Sequence, residues 1–335
     1  MAASSQSGTS RKILLLAIAI MLASATYTGG WFYAASAMRD KTLTLLGSQQ
    51  ENGVFVKCGD AEYRGYPFRI GLFCSKVEID DQNNGISASF GAVRSAAQIY
   101  DPAHIVWEMD PPAQFRSSHG LTVSSTWESL QSSLIAKHKG IERSSSVILD
   151  SNTSIASSST GQSVNFTVER TELHLRQNQG DLDAAVSLHN VRASGDGLTE
   201  FLPTMTATLD MTLLGRAGMI DGTYPGGIAP YNLEGEMRKL SADLGEGRLV
   251  TVTGPFSIDG DGYLSGRLKL KIEQIEAWSD SLQNAFPKIA PTLQTVVGIV
   301  SALAGDSGNA SLELTIDRGK IFAGGFIPVG NIPPI

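Results

Sequence analysis

Residues 173–188 read Leu-His-Leu-Arg-Gln-Asn-Gln-Gly-Asp-Leu-Asp-Ala-Ala-Val-Ser-Leu. Leu173 and Leu175 alternate with polar residues before the turn Asn178-Gln179-Gly180-Asp181, and Ala184, Val186 and Leu188 alternate after it. Alternation at a period of two is the signature of a strand with one buried face. Folding the segment across its turn sets Leu175 opposite Ala184 and Leu173 opposite Val186, so both apolar sets fall on one face. This is an antiparallel hairpin.

The same grammar recurs in both directions. Toward the N-terminus it appears at Val54–Cys58, at Gly65–Ile70, at Cys74–Ile79 and in Val164, Phe166 and Val168. Toward the C-terminus Met205, Ala207, Leu209, Met211 and Leu213 alternate. Leu249–Ile258 and Tyr263–Ile272 flank the turn Asp259-Gly260-Asp261-Gly262, and Leu312, Leu314 and Ile316 lead through Asp317-Arg318-Gly319 into Lys320–Ala323. Strands joined directly by turns argue for antiparallel sheet rather than βαβ winding. The expected fold is therefore mainly β with a few helices, built as a large twisted or curved antiparallel sheet behind an N-terminal helix.

Two helical segments are expected. Ser125-Thr126-Trp127-Glu128 has capping-box form, and Trp127, Leu130, Leu134 and Ile135 make an apolar stripe ending near Gly140. Residues 276–304 carry a second apolar pattern, which Pro287 and Pro291 divide into two helices or a kinked one. Its charge-poor second half, 291–304, is too short to cross a bilayer and lies either against the sheet or on a lipid surface. The Ser- and Thr-rich stretch Ser144–Ser163 reads as a loop with one short strand, Val147–Leu149, and marks a subdomain boundary.

The N-terminus decides topology. Arg11 and Lys12 precede an uncharged stretch from Ile13 to Met38. Twenty of its residues at about 1.5 Å each would span a hydrocarbon core of roughly 30 Å. Trp31, Phe32 and Tyr33 follow where an interfacial aromatic belt sits. The competing reading is a cleaved signal peptide, since Ala23-Ser24-Ala25 and Ala35-Ser36-Ala37 are both acceptable to a signal peptidase. The length and aromatic content favour an uncleaved anchor. Residues 1–12 then form a cytoplasmic tail, 13–38 a single-pass segment in a bacterial inner membrane, and 39–335 a periplasmic domain.

Composition agrees. The net charge of −7 disfavours nucleic acid, whose phosphates need a basic surface. The only cysteines, Cys58 and Cys74, are either two buried thiols or a structural disulfide bracketing one hairpin. Export of the domain favours the disulfide.

Catalytic, metal and cofactor groups are not expected. His174 and His189 share a face of the hairpin, but His189 lies four residues, about 13 Å, beyond the position opposite His174. That is too far for one zinc. Counting from Asp259, the twelfth position of a calcium loop holds Leu270 instead of the required Glu. No Gly-x-Ser-x-Gly elbow or phosphate cradle is present. Arg69 is the residue to watch. It is read as an exposed strand charge beside buried Phe68 and Ile70, or as a contact for a lipid headgroup or partner.

The anchor followed by Gly65-Tyr66-Pro67-Phe68-Arg69-Ile70 between two cysteines resembles an uncharacterised alphaproteobacterial envelope family, the domain of unknown function numbered 2125. Gly254–Asp259 with Gly266–Leu270, and Asp317–Ile321 with Gly325–Gly330, resemble its strand–turn–strand unit and its C-terminal end. The broader pattern is similar to AsmA-like envelope proteins. That resemblance implies a periplasmic sheet whose concave apolar face holds lipid chains, although this chain is too short to bridge the periplasm. The expected function is binding of lipid or another apolar ligand, or support of envelope assembly, with membrane, lipid and envelope proteins as partners. The alternative is a structural protein that docks a partner along a sheet edge or groove.

Overall fold

The hairpin register of residues 173–188 holds: Leu173 pairs with Val186, His174 with Ala185 and Leu175 with Ala184. In the computed structural model it belongs to one open antiparallel sheet of twenty strands behind an N-terminal helix. The structure describes residues 6–50, 53–82, 85–137, 140–195, 203–220, 224, 231–285, 298 and 309–334. The charge-poor segment expected to be helical at 291–304 lies, apart from Gly298, outside these.

The first ten strands are five long staves, each broken once. They are β1 (Val54–Cys58) with β2 (Glu62–Arg64), β3 (Arg69–Cys74) with β4 (Val77–Asp81), and β5 (Ile86–Phe90) with β6 (Val93–Gln98). Then come β7 (Asp101–Met109) with β8 (Ala113–Ser117), and β9 (Leu121–Thr126) with β10 (Ser129–Lys137). Each half pairs with the matching half of the next stave: β1 with β4 and β2 with β3, then β4 with β5 and β3 with β6. The pattern continues through β5–β8, β6–β7, β8–β9 and β7–β10 until both halves of the fifth stave meet β11 (Gly140–Ser157). Unbroken staves follow: β12 (Ser163–Asn178), β13 (Asp181–Gly195), β14 (Met205–Leu213), β15 (Leu233–Asp243), β16 (Leu249–Ile258) and β17 (Leu264–Ile272). The last are β18 (Ala310–Asp317), β19 (Lys320–Ala323) and β20 (Ile327–Asn331). Every stave pairs with its neighbour in the chain.

The breaks align into a crease, and its residues are those that bend strands. Gly59 and Lys76 face each other across it, with Gly59 N–H donating to the Lys76 carbonyl at 2.8 Å. Pro111 and Pro112, which cannot donate to a ladder, interrupt the fourth stave. Asp150 in β11 and Asn190 in β13 take left-handed backbone, φ 47° and 53°. Arg94 grips Asp110 with both guanidinium nitrogens at 2.6 and 2.7 Å. Buried Trp127 donates its indole N–H to the Met109 carbonyl at 2.9 Å. At the first edge Cys58 and Cys74 join across the crease, S–S 1.98 Å.

Two local expectations are corrected. The stripe Trp127–Ile135 is not a helix: Ser129–Lys137 is β10, with Leu130 and Leu134 on one face and Trp127 in the crease. The Ser/Thr-rich stretch is not a loop either, because β11 occupies Gly140–Ser157 as the longest strand. Its serines satisfy one another across strands: Ser132 Oγ lies 2.8 Å from Ser146 Oγ, and Ser125 Oγ 2.8 Å from Thr153 Oγ1. Hydroxyl pairing lets a polar run stay in a sheet.

The N-terminal helix α1 (Gln6–Gln50) carries the apolar span Ser10–Asp40, long enough to cross a membrane or to serve as a signal sequence. It contacts β1 and β2, the two halves of the first stave. The accessible surface is 20596 Å², whereas a compact protein of this mass would expose about 13,000 Å². Among the described residues no large side chain is completely buried. Part of the excess is the exposed stretch of α1, and the buried apolar residues of the sheet gather in one cluster around Leu182, Leu213, Phe256, Leu268 and Ile316.

Candidate functional site

Two features stand out: a socket that holds α1, and an apolar face over the second half of the sheet. The socket is made by the turn at Gly65–Arg69. Arg69 N–H donates to the Gly65 carbonyl at 2.9 Å and closes the turn. Gly65 sits at φ 119°, where a Cβ would come 2.8 Å from the Arg69 carbonyl oxygen, so only glycine fits. The Tyr66–Pro67 bond is cis.

Into this turn α1 inserts one face. Trp31 is buried and its indole N–H donates to the Arg69 carbonyl at 3.0 Å. Tyr27 donates its hydroxyl to the Pro67 carbonyl, and Thr28 Oγ1 lies 2.7 Å from the Tyr66 hydroxyl. The Tyr66 ring meets Trp31 edge-on at 5.6 Å and stacks on Phe32 at 5.7 Å. Such aromatic pairs add about 0.5–1.5 kcal/mol each beyond their area. These three polar and two ring contacts fix both the position and the rotation of the helix. Upstream of Tyr27, the helix leaves the sheet with its side chains exposed.

Trp31 is thus not a free member of an aromatic belt; it faces the protein, while Phe32 and Tyr33 stay exposed. Phe68, expected to be buried, is 68% exposed because Pro67 and the turn swing it off the strand. The Arg69 side chain is exposed and makes no ion pair among the described residues. Gly65, Tyr66, Pro67 and Arg69 therefore work mainly through backbone shape and the Tyr66 ring. The partners on α1 were not identifiable from sequence, since they lie 38 to 40 positions away with no local pattern linking them.

The apolar face follows from register. Residues directly opposite in antiparallel strands share a face. Leu182 pairs with Leu213, Leu213 with Gly235, Gly235 with Phe256, Phe256 with Gly266, Gly266 with Ile316 and Ile316 with Ile321. The next rows on that face are Ala184, Met211 and Met237, then Val186, Leu209, Leu240, Val252, Leu270 and Leu312. The glycines are required by close approach: a Cβ on Gly235 would stand 2.8 Å from the Phe256 ring. Leu182, Leu213, Phe256 and Ile316 are buried in one cluster, against which Met219, Ile220 and Ile332 pack, while Met211, Met237, Val252 and Leu314 are half-buried. Ile275 of the second helix, α2 (Ile275–Ala285), packs against Ala310 and Leu312 at one end of the face.

The opposite face is charged, and one node on it is built with care. Asp183, 7% exposed, accepts from Arg176 at 2.7 Å, Thr212 at 2.7 Å and Arg238 at 2.9 Å. Arg238 is the extra residue of a bulge between β14 and β15 and also grips Asp210. Burial raises the Asp183 carboxyl, but the bonds from Arg176, Arg238 and Thr212 outweigh it and hold the group well below the usual carboxylate range. Every oxygen of Asp183 is engaged, so this is a tie between four strands, β12 to β15. His174 bonds Ser145 at 3.1 Å and His189 bonds Ser187 at 3.1 Å; among the described residues no three His, Cys, Asp or Glu side chains cluster for a metal.

The geometry defines a class: a single-layer antiparallel meander fastened through an aromatic socket to a long apolar helix. Residues 31–333 match the family described as an uncharacterized protein conserved in bacteria, DUF2125, and the chain belongs to that family. The match begins at Trp31, the residue seated in the socket, and includes every strand. No curated protein and no solved structure matches the chain.

Proposed function

We propose that α1 is an uncleaved membrane anchor, that the sheet stands on the periplasmic side of a bacterial inner membrane, and that its apolar face takes up lipid acyl chains or a comparable apolar ligand in support of envelope assembly. The reading is of a binding protein, not an enzyme. One observation carries it: eight adjacent strands, β12–β19, present one continuous apolar face, in a sheet fastened to a membrane-length helix. The central row of that face is buried, and the half-buried Met211, Met237 and Val252 beside it are where a chain could be taken up. The union of Cys58 and Cys74 supports an oxidising location.

Residue parity supplies the test. A photoreactive benzophenone at position 211 of the full-length chain, in membranes, is expected to capture lipid, while the same group at 212, on the other face, is not. Equal capture at both positions, or none at 211, refutes the reading. Docking of a protein along a sheet edge is the weaker alternative. The first stave is in contact with α1, and the last strand, β20, carries Pro328, which cannot donate to an added strand.

A further inference from the structure

We infer that the sheet has a second membrane contact of its own: the two turns beside the α1 socket, carrying Phe68 and Tyr100, sit in the headgroup layer of the bilayer. The inference rests on α1 being a membrane anchor.

The staves give the sheet two rims. Turns at 65–68 and 99–100 lie on one; Gln82, Gly85 and the turn at 118–120 lie on the other. The first pair are neighbours, since Ile99 N–H donates to the Phe68 carbonyl at 3.1 Å. Phe68 is 68% exposed and Tyr100 78%, with Tyr66 and Ile99 also exposed. Of the ten exposed large hydrophobic residues described outside α1, four fall in these two turns. The described residues of the opposite rim in the same staves are Gln82, Gly85 and Ser118-His119-Gly120. An apolar, aromatic rim facing a polar one is an orientation signal.

The anchor fixes what meets that rim. Tyr27 and Trp31 are bonded to Pro67 and Arg69, and the exposed apolar helix departs from this point, away from the strands. Counting about 20 residues for one crossing from Ile13 ends the span at Phe32, beside the stacked Tyr66 ring. The turns therefore lie at the depth where the span leaves the hydrocarbon. Tyr and other amphipathic rings are favoured at that level. Arg69, exposed and with no carboxylate partner among the described residues, adds a cation at the same turn for phospholipid phosphates.

The test uses the full chain in phospholipid nanodiscs, labelled with a nitroxide under non-reducing conditions so that Cys58 and Cys74 stay joined. Separate variants Phe68→Cys, Tyr100→Cys, Ser118→Cys and Ile18→Cys are read for depth by oxygen and nickel-chelate relaxation. Labels at 68 and 100 are expected about 5–10 Å into the headgroup and acyl boundary, that at 18 in hydrocarbon, and that at 118 in water. Water-exposed labels at both 68 and 100, with 18 in hydrocarbon, overturn the seat and leave the anchor standing. Labels at 18, 68 and 100 all in water overturn anchor and seat together. The label at 100 keeps the test decisive if Phe68→Cys disturbs the socket.

Discussion

Trp31→Ala should loosen the helix from the sheet without unfolding the sheet. Trp31 is 6% exposed, and its indole ring fills the space between α1 and the Gly65–Arg69 turn. Removing a buried Trp side chain costs about 3–5 kcal/mol, and the Arg69 carbonyl loses its donor as well. The cost falls on the junction, because none of the strand ladders includes Trp31. Hydrogen exchange reports such local opening directly. At 1.4 kcal/mol per tenfold, amides of residues 65–70 and 97–100 should exchange between about a hundredfold and a few thousandfold faster. Trp31→Phe keeps most of the ring and loses one hydrogen bond, about 1 kcal/mol, so its effect should be near fivefold. Exchange across β12–β18 should not change. If Trp31→Ala leaves residues 65–70 as protected as in the wild type, the socket does not hold the helix, and the argument for a fixed membrane orientation fails with it.

Three further outcomes follow from named contacts. Gly235→Ala should cost about 1–3 kcal/mol in urea unfolding, because its methyl would press on the Thr212 carbonyl oxygen at 2.7 Å and on the Phe256 ring at 2.8 Å; Phe256→Leu in the same chain should recover only the part due to the ring. Asp183→Asn should cost about 2 kcal/mol at neutral pH, where the carboxylate holds Arg176 and Arg238. The folded carboxyl lies below its unfolded value, so this stability is present above the ordinary carboxylate range and is lost as pH falls. Wild type and variant should therefore converge in acid, and a gap that widens on acidification would contradict the assignment. Replacing Cys58 and Cys74 together by Ser should lower stability by roughly 3 kcal/mol for a closure of this length, and dithiothreitol should then have no further effect on the variant.

Sequence carried the sheet further than it carried the site. The hairpin at 173–188 was legible because its faces differ sharply in polarity and its turn is short, so one register satisfies both. The same logic failed at 127–135, where Leu130 and Leu134 fit a helical stripe and a strand face equally well. There the crease, a tertiary feature, chose between them by placing Trp127 against Met109. Ser144–Ser157 was misread because hydroxyls that bond across strands look, one strand at a time, like loop composition. The motif at Gly65–Arg69 was visible, but its partner was not, since nothing near Trp31 distinguishes a side chain facing lipid from one facing a turn far along the chain. The apolar face emerges only once eight strands are in register.

Because each stave takes its hydrogen bonds from the one just before and the one just after it, no segment waits for a distant one to arrive. A chain of this kind can zip up in the order it is made, each stave closing onto the one before it. By the same token, sequence could be added or trimmed at the far end, a stave pair at a time, with no need to rebuild the end at α1. On the proposed anchoring, reach away from the membrane is a quantity this architecture can adjust by length alone.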